Sequence, residues 1–268
     1  MDSQLKIRKW DPSTILPGAV ILIVGKRRTG KSLICMDIMY HLKDRFDYGI
    51  AFCPTEESSK TLCQYIPETC IFPDYREDKI EALMQIQKRH WSRPEGGKEV
   101  FILLDDCLYD KTILRSKVMR EITMNGRHRH ITLILVSQYL NDLPSNVRSQ
   151  FDYVIATREN IYANKEKLYR QFFGFFKCPQ DFSVTMDTIT LDYGAVVFDG
   201  QNPQSTKVED NCFWFRATQR ESFRCVPDSV FNLSEKCYKD PEEYIEGLDE
   251  ARSLPPIIKI DTTGKPVI

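Results

Sequence analysis

An α/β fold with a mostly parallel central sheet is predicted by two features of the sequence. Short apolar runs rich in Val, Ile and Leu recur between Ala19 and Ala156, the pattern of strands buried on both faces. Between them lie stretches of about 10 to 15 residues with helical spacing, which is how crossover connections join parallel strands. A third feature narrows the class. Three of the runs end abruptly in polar residues, at Gly25, at Asp105-Asp106 and at Ser137-Gln138.

The elements follow in order. Ala19 to Val24 is a β-branched run and predicts a central strand. Leu33, Ile34, Met36, Ile38, Met39 and Leu42 recur at near-helical spacing, so a helix is expected to about Asp44. Gly49 to Cys53 predicts a second strand stopped by Pro54, and Asp78 to His90 a helix on a 3.6-residue period. Trp91 to Lys98, with Pro and two Gly, reads as a loop. Val100 to Leu104, Ile131 to Val136 and Tyr153 to Ala156 predict three more strands, with helices over Arg115 to Met124 and Asn164 to Phe173. After Pro179 the pattern changes. Thr188 to Phe198 and Cys212 to Ala217 read as strands with no helix between them, an antiparallel edge or hairpin.

Composition bounds the rest. The chain has 268 residues with 42% apolar and 11% aromatic content, ordinary for a globular protein and against global disorder. Thirty-seven basic residues against 38 acidic leave a net charge of −1, which excludes a uniformly basic nucleic-acid coat but not a local patch. The longest apolar run is the six residues Ala19 to Val24. A membrane span needs about 20, so none is expected, and Met1 to Lys6 lacks the apolar core of a signal peptide. Nine cysteines are present without a C-x-x-C pair, and the four histidines do not cluster with them. Reduced thiols used as small core residues are the expectation. The division predicted is a polar lead-in over 1–18, one α/β domain over 19–233 and an acidic, partly disordered tail over 234–268. Ser234 to Ser253 carries seven acids against three bases.

The chemistry begins at Gly25-Lys26-Arg27-Arg28-Thr29-Gly30-Lys31-Ser32, which fits G-x-x-x-x-G-K-[ST] between a strand and a helix. The two glycines let backbone N–H groups wrap a triphosphate, and the helix presents its positive end. Lys31 is placed to reach the β- and γ-phosphates of ATP and Ser32 to ligate Mg²⁺. Asp105 and Asp106, at the end of an apolar strand, are a second Mg²⁺ ligand and a base orienting the attacking water. A helix N-cap is the other reading of Asp106. Gln138 ends the next strand, where its amide can bond both the γ-phosphate and the water, or serve only as a polar cap. Arginines complete the set. Arg148 is the first candidate for a finger acting on a neighbouring subunit's phosphate, with Arg127 and Arg129 behind it and Arg28 available in cis. A solvated surface charge or a DNA phosphate contact is the alternative for each.

Taken together, these stretches resemble the genome-packaging ATPases of large double-stranded DNA viruses, the poxvirus and giant-virus branch of the FtsK/HerA P-loop superfamily. The resemblance runs over about residues 9 to 217. Its carriers are Lys9-Trp10, the loop Gly25 to Ser32, Cys53-Pro54-Thr55-Glu56 and Phe101 to Asp110 with its Asp-Asp-Cys-Leu-Tyr-Asp. Met124-Asn125-Gly126-Arg127-His128, Ser137-Gln138, Leu143 to Tyr153, and Val208-Glu209-Asp210 through Phe213 to Ala217 follow. Asn-Gly-Arg-His and the Leu-Pro…Val-Arg…Phe-Asp-Tyr block are far more specific than a phosphate loop. Arg27-Arg28 makes the loop more basic than is usual, Ser137 departs from the common residue, and Asp106 stands where many relatives have the longer Glu.

The resemblance implies a homo-oligomeric ring, hexameric or pentameric, that hydrolyses ATP to drive double-stranded viral DNA into a preformed capsid. It also implies capsid or inner-membrane assembly proteins as partners. The implied location is the host cytoplasm at the viral factory, with carriage in the virion as a second place. Arg127, His128, Arg129, Lys165-Glu166-Lys167 and Arg170 are then candidates for a basic pore lining. Two other functions fit the phosphate loop, a nucleotide switch in virion assembly and a nucleoside or nucleotide kinase. A kinase needs an acceptor pocket and an arginine-bearing lid, and no lid is evident in the sequence.

Overall fold

The structure, a computed structural model, describes residues 5–91, 99–107, 112–138, 145–237, 259–260 and 266–267. Nine strands form one sheet in the order β1-β9-β8-β7-β2-β6-β5-β3-β4. They are β1 (Arg8–Lys9), β2 (Val20–Val24), β3 (Tyr48–Phe52), β4 (Ile71–Phe72), β5 (Val100–Asp105), β6 (Ile131–Ser137), β7 (Tyr153–Thr157), β8 (Gly194–Asp199) and β9 (Cys212–Arg216). The run from β7 to β4 is parallel throughout, and β8 is antiparallel to both β7 and β9. The predicted antiparallel edge is therefore present. A separate two-stranded pair joins β10 (Lys259–Ile260) to β11 (Pro266–Val267).

Helices cover both faces, which is why the central strands are apolar along their whole length. Val20, Leu22 and Val24 face one core with α3 (Glu77–Trp91), α4 (Lys117–Asn125), α6 (Tyr162–Phe172) and α7 (Pro179–Ile189). Ile21 and Ile23 face the other, against α1 (Lys31–Leu42), α2 (Glu56–Leu62) and α9 (Asp228–Cys237). Two four-residue helices, α5 (Ser145–Arg148) and α8 (Val208–Asn211), serve as connectors. Alternate residues of one strand thus hold two cores, each fully buried Ile or Leu contributing about 1.5–3 kcal/mol.

The structure departs from the sequence reading at three places. Thr188 to Phe198 is not one strand. Pro179 opens α7 at its first turn, Phe182 and Met186 bury one helical face, and Leu191–Tyr193 form a 3₁₀ turn before β8. The β-branched residues Thr188 and Thr190 misled the pattern. Their hydroxyls return to the carbonyls of Val184 and Met186, at 2.9 and 2.7 Å, and so close the helix instead of extending it. The polar lead-in also belongs to the sheet. Arg8 and Lys9 pair with Phe213 and Trp214, and Trp10 is 3% exposed, its indole N–H donating to Asp199 Oδ2 at 3.2 Å. Finally, α2 and β4 appear where no element was expected, and α9 runs across the expected boundary at 233/234. The predicted loop at 92–98, residues 108–110 of the Asp-Asp-Cys-Leu-Tyr-Asp block, Leu143-Pro144 and the tail from 238, save the β10–β11 residues, lie outside the described residues.

Candidate nucleotide-binding site

The carboxyl edge of the parallel strands collects the polar strand ends read from the sequence. The chain leaves β2 at Gly25, whose N–H donates to the Ser137 carbonyl of β6 at 3.1 Å, while the Asp106 N–H donates to the Val136 carbonyl at 3.0 Å. Strand β6 lies between β2 and β5. It therefore ties the phosphate loop on one side and the aspartate pair on the other, and it sets Gln138 between them. Asp106 adopts a left-handed φ of 53°, a conformation aspartate tolerates better than most residues. Its carboxylate accepts from Gln138 Nε2 at 2.6 Å, and Gln138 Oε1 accepts from Arg27 Nε at 3.0 Å. A connected chain runs from the phosphate loop through the amide to Asp106.

The loop itself is braced from β7. A Cβ at Gly25 would fall on the Thr157 hydroxyl, and that hydroxyl bonds Thr29 Oγ1 at 2.6 Å. The Lys26 carbonyl accepts from Thr29 Oγ1 at 2.7 Å and from Lys31 Nζ at 2.9 Å. Lys26 Nζ lies 2.8 Å from Glu159 Oε1. Burial raises the Glu159 carboxyl, but bonds from Lys26, the Ile161 N–H and Asn164 outweigh it and hold the group below its ordinary value. Gly30 (φ 89°) and Arg28 (φ 63°) take left-handed backbone that closes the turn. Thr157 and Glu159 were not singled out from the sequence. The signal was available, since both follow the apolar run Tyr153 to Ala156 as Asp105 and Gln138 follow theirs.

Electrostatically the edge is ready for a polyanion with a cation. Lys31 is 8% exposed, and burial lowers its ammonium below the ordinary lysine value against the pull of Asp106 and Asp105. Burial, then the adjoining Asp106, pushes Asp105 up to about 6. The Cys53 thiol, itself raised to about 11 by burial and by Asp105, donates to Asp105 Oδ2 at 3.7 Å. Ser32 and Asp105 share the wall of a pocket of about 70 Å³. A hydroxyl and a carboxylate on one wall are hard oxygen donors of the kind Mg²⁺ takes, and a divalent cation would relieve the crowded carboxylates. Both residues fit the role.

Arg28 stays in the phosphate loop, but the other three candidate arginines fall elsewhere. Arg148 ends α5 just before β7, and Arg127 and Arg129 precede β6, so all three stand at the amino edge of the sheet. A strand of five to seven residues separates them from the phosphate loop, roughly 17–23 Å. Within one chain none of them approaches Lys31. Arg148 lines a surface groove with Glu166, Lys167 and Arg170. Lys165 is a correction to the basic lining. It is 6% exposed, with its Nζ 2.6 Å from each Asp187 carboxylate oxygen. Arg129 is paired with Glu121 at 2.7 Å and Arg170 with Glu166 at 2.7 Å, while Arg127 and His128 are exposed.

Residues 18–171, the stretch that holds every group just described up to Glu159, match the family described as Poxvirus A32 protein. The chain belongs to that family. Relatives of this A32-family chain occur in viruses. A protein of Acanthamoeba polyphaga mimivirus is 28% identical over 94% of this chain and 89% of its own length. One of Invertebrate iridescent virus 6 is 26% identical over 82% and 86%. Among solved structures, the genome packaging NTPase B204 from Sulfolobus turreted icosahedral virus 2, in complex with ATP-gammaS, superposes with a TM-score of 0.54 at 19% identity, over 76% of this chain and all of that one. The cytoplasmic domain of the Thermomonospora curvata Type VII secretion ATPase EccC gives 0.52 at 15% identity, over 75% of this chain and 25% of that one. At such identities the likeness is one of fold, a mostly parallel sheet flanked by helices. Among the described residues no helix is long and apolar enough to cross a membrane.

Proposed function

We propose that the chain is an ATP-hydrolysing motor subunit that drives double-stranded viral DNA into a preformed capsid. The observation that carries this reading is the meeting of Lys31, Ser32, Asp105, Asp106 and Gln138 at one sheet edge, with Gln138 on the strand between the other groups. Lys31 leaves the Lys26 carbonyl to bind the β- and γ-phosphates. Ser32 and Asp105 would hold Mg²⁺, which would supply charge neutralisation for the transferred phosphoryl group. Asp106 orients water in line with the γ-phosphate. Gln138 bonds both, so its amide senses whether the phosphate is still attached. Arg27, already on Gln138, carries that state back to the loop.

The position of Arg148 supports head-to-tail packing, and the ring we propose has five or six copies. An arginine at the amino edge reaches a nucleotide only if head-to-tail packing brings that edge against a neighbour's carboxyl edge. The description of B204 as a genome packaging NTPase and the viral relatives of the A32 family support the DNA substrate and capsid-associated partners; the host cytoplasm at the viral factory is the location that goes with this proposal. Steady-state ATP hydrolysis with and without double-stranded DNA tests the reading, with Lys31→Ala and Asp106→Asn as controls. DNA-stimulated turnover that both variants lose is the expected result. Turnover indifferent to DNA would instead make the protein an assembly switch, and phosphate transfer only to an added nucleoside or nucleotide would make it a kinase.

A further inference from the structure

Beside the phosphate loop, on the side away from Gln138, lies a second opening. Its volume is about 320 Å³, and it is lined by Arg28, Thr29, Arg158 and residues Thr190 to Tyr193. That size lies at the small end of ligand pockets, roughly 300–1,000 Å³. Tyr193 is 67% exposed, and its ring edge stands at 3.5 Å from the place a Cβ would take on Gly30. The tyrosine is held there deliberately by the backbone. Asp192 and Tyr193 both take left-handed φ, 48° and 60°, which costs a non-glycine residue about 1 kcal/mol or more. Gly194 follows because a Cβ there would strike the Ile189 carbonyl. Arg216 pins the turn from β9, with its Nη2 3.4 Å from the Leu191 carbonyl and 3.8 Å from Asp192 Oδ2.

We propose that this opening is the nucleoside subsite, with Tyr193 as the platform on which the base of the bound nucleoside triphosphate stacks. The inference rests on the phosphate-loop reading and follows from direction. The γ-phosphate end must face Asp105, Asp106 and Gln138, on the β5 and β6 side of the loop. The α-phosphate, ribose and base then leave over β7 and β8, where Gly30 meets Tyr193. Arg28 and Arg158 stand on the same opening and supply positive charge where the α-phosphate joins the sugar. An exposed aromatic face costs water little to cover, and a purine supplies the matching π-surface.

Equilibrium binding of ATP and of inorganic tripolyphosphate to the wild type and to Tyr193→Ala, Tyr193→Phe and Tyr193→Trp tests the assignment. Loss of the ring should weaken ATP about tenfold or more and leave tripolyphosphate unchanged, because only ATP has a base to stack. Phe and Trp should restore ATP binding, and the Trp variant should show a fluorescence change with ATP that tripolyphosphate does not give. Unchanged ATP affinity in Tyr193→Ala would overturn the proposal. Equal loss of both ligands would overturn it too, since Tyr193 would then be supporting the loop. A wild type that binds neither ligand would instead sink the phosphate-loop reading, and this inference with it.

Discussion

Thr157 decides what can stand at Gly25. Its hydroxyl occupies the space of any Cβ there and is itself bonded to Thr29, so Gly25→Ala must push the loop off β7. The expected cost is about 1–3 kcal/mol of stability, with loss of ATP binding read by calorimetry. Glu159 supports the same loop through Lys26. Its folded carboxyl sits below the ordinary value of 4.5, so its stabilisation is complete above that pH and fades as pH falls through the lower folded value. Glu159→Gln should therefore lower the melting temperature at pH 7, by about 1–2 kcal/mol in stability, and the two proteins should converge in acid. A gap that persists unchanged at pH 3 would refute this account. Asp105 and Gln138 were readable as single residues because each follows or closes an apolar run, and Lys31 because the phosphate-loop motif places it. Thr157 also follows an apolar run, but its job is defined only by a glycine 132 positions earlier.

At the scale of elements, α7 shows how local pattern and packing diverge. Its buried residues Phe182 and Met186 are four apart, and Phe182 stacks on Phe173 with ring centroids 4.6 Å apart. Those partners lie on another element, so the helical face is recognisable only once α6 and its following turn are in place. Truncation of Phe182, which is fully buried, should cost about 3–5 kcal/mol. Val184→Ala, at a 56% exposed site on the same helix, should stay within about 0.5 kcal/mol. Denaturant unfolding of the two variants separates them. Equal losses would mean that α7 contributes by propensity and not by its buried face. The central strands needed no such context, since burial on both faces writes itself into a continuous apolar run.

For the whole molecule, the decisive fact is that two functional edges lie on opposite sides of one sheet. The phosphate loop occupies the carboxyl edge, and Arg148 with the Asn-Gly-Arg-His turn occupies the amino edge. A motor assembled head to tail brings one edge to the other, so the two sets of residues should complement between subunits. Lys31→Ala and Arg148→Ala proteins should each be inactive alone, while Arg148→Ala still binds ATP. Mixed, they should recover DNA-stimulated hydrolysis, because an intact loop can receive its arginine from a loop-dead neighbour. No recovery on mixing, with rings shown to contain both proteins, would remove Arg148 from that role.

By itself, the sequence determined the α/β class, the parallel core and the order of phosphate loop, aspartate pair and glutamine, because these are local signals. Each is an apolar run with a polar end, and sheet burial leaves no other way to write it. Only the tertiary structure decided that Gln138 lies between the loop and Asp106, that Trp10 closes the far edge against Asp199, that Lys165 is buried against Asp187, and that Tyr193 faces Gly30. These are pairings across long stretches of chain. They depend on strand order and on which face a turn presents, and neither quantity is carried by the spacing of residues along one segment.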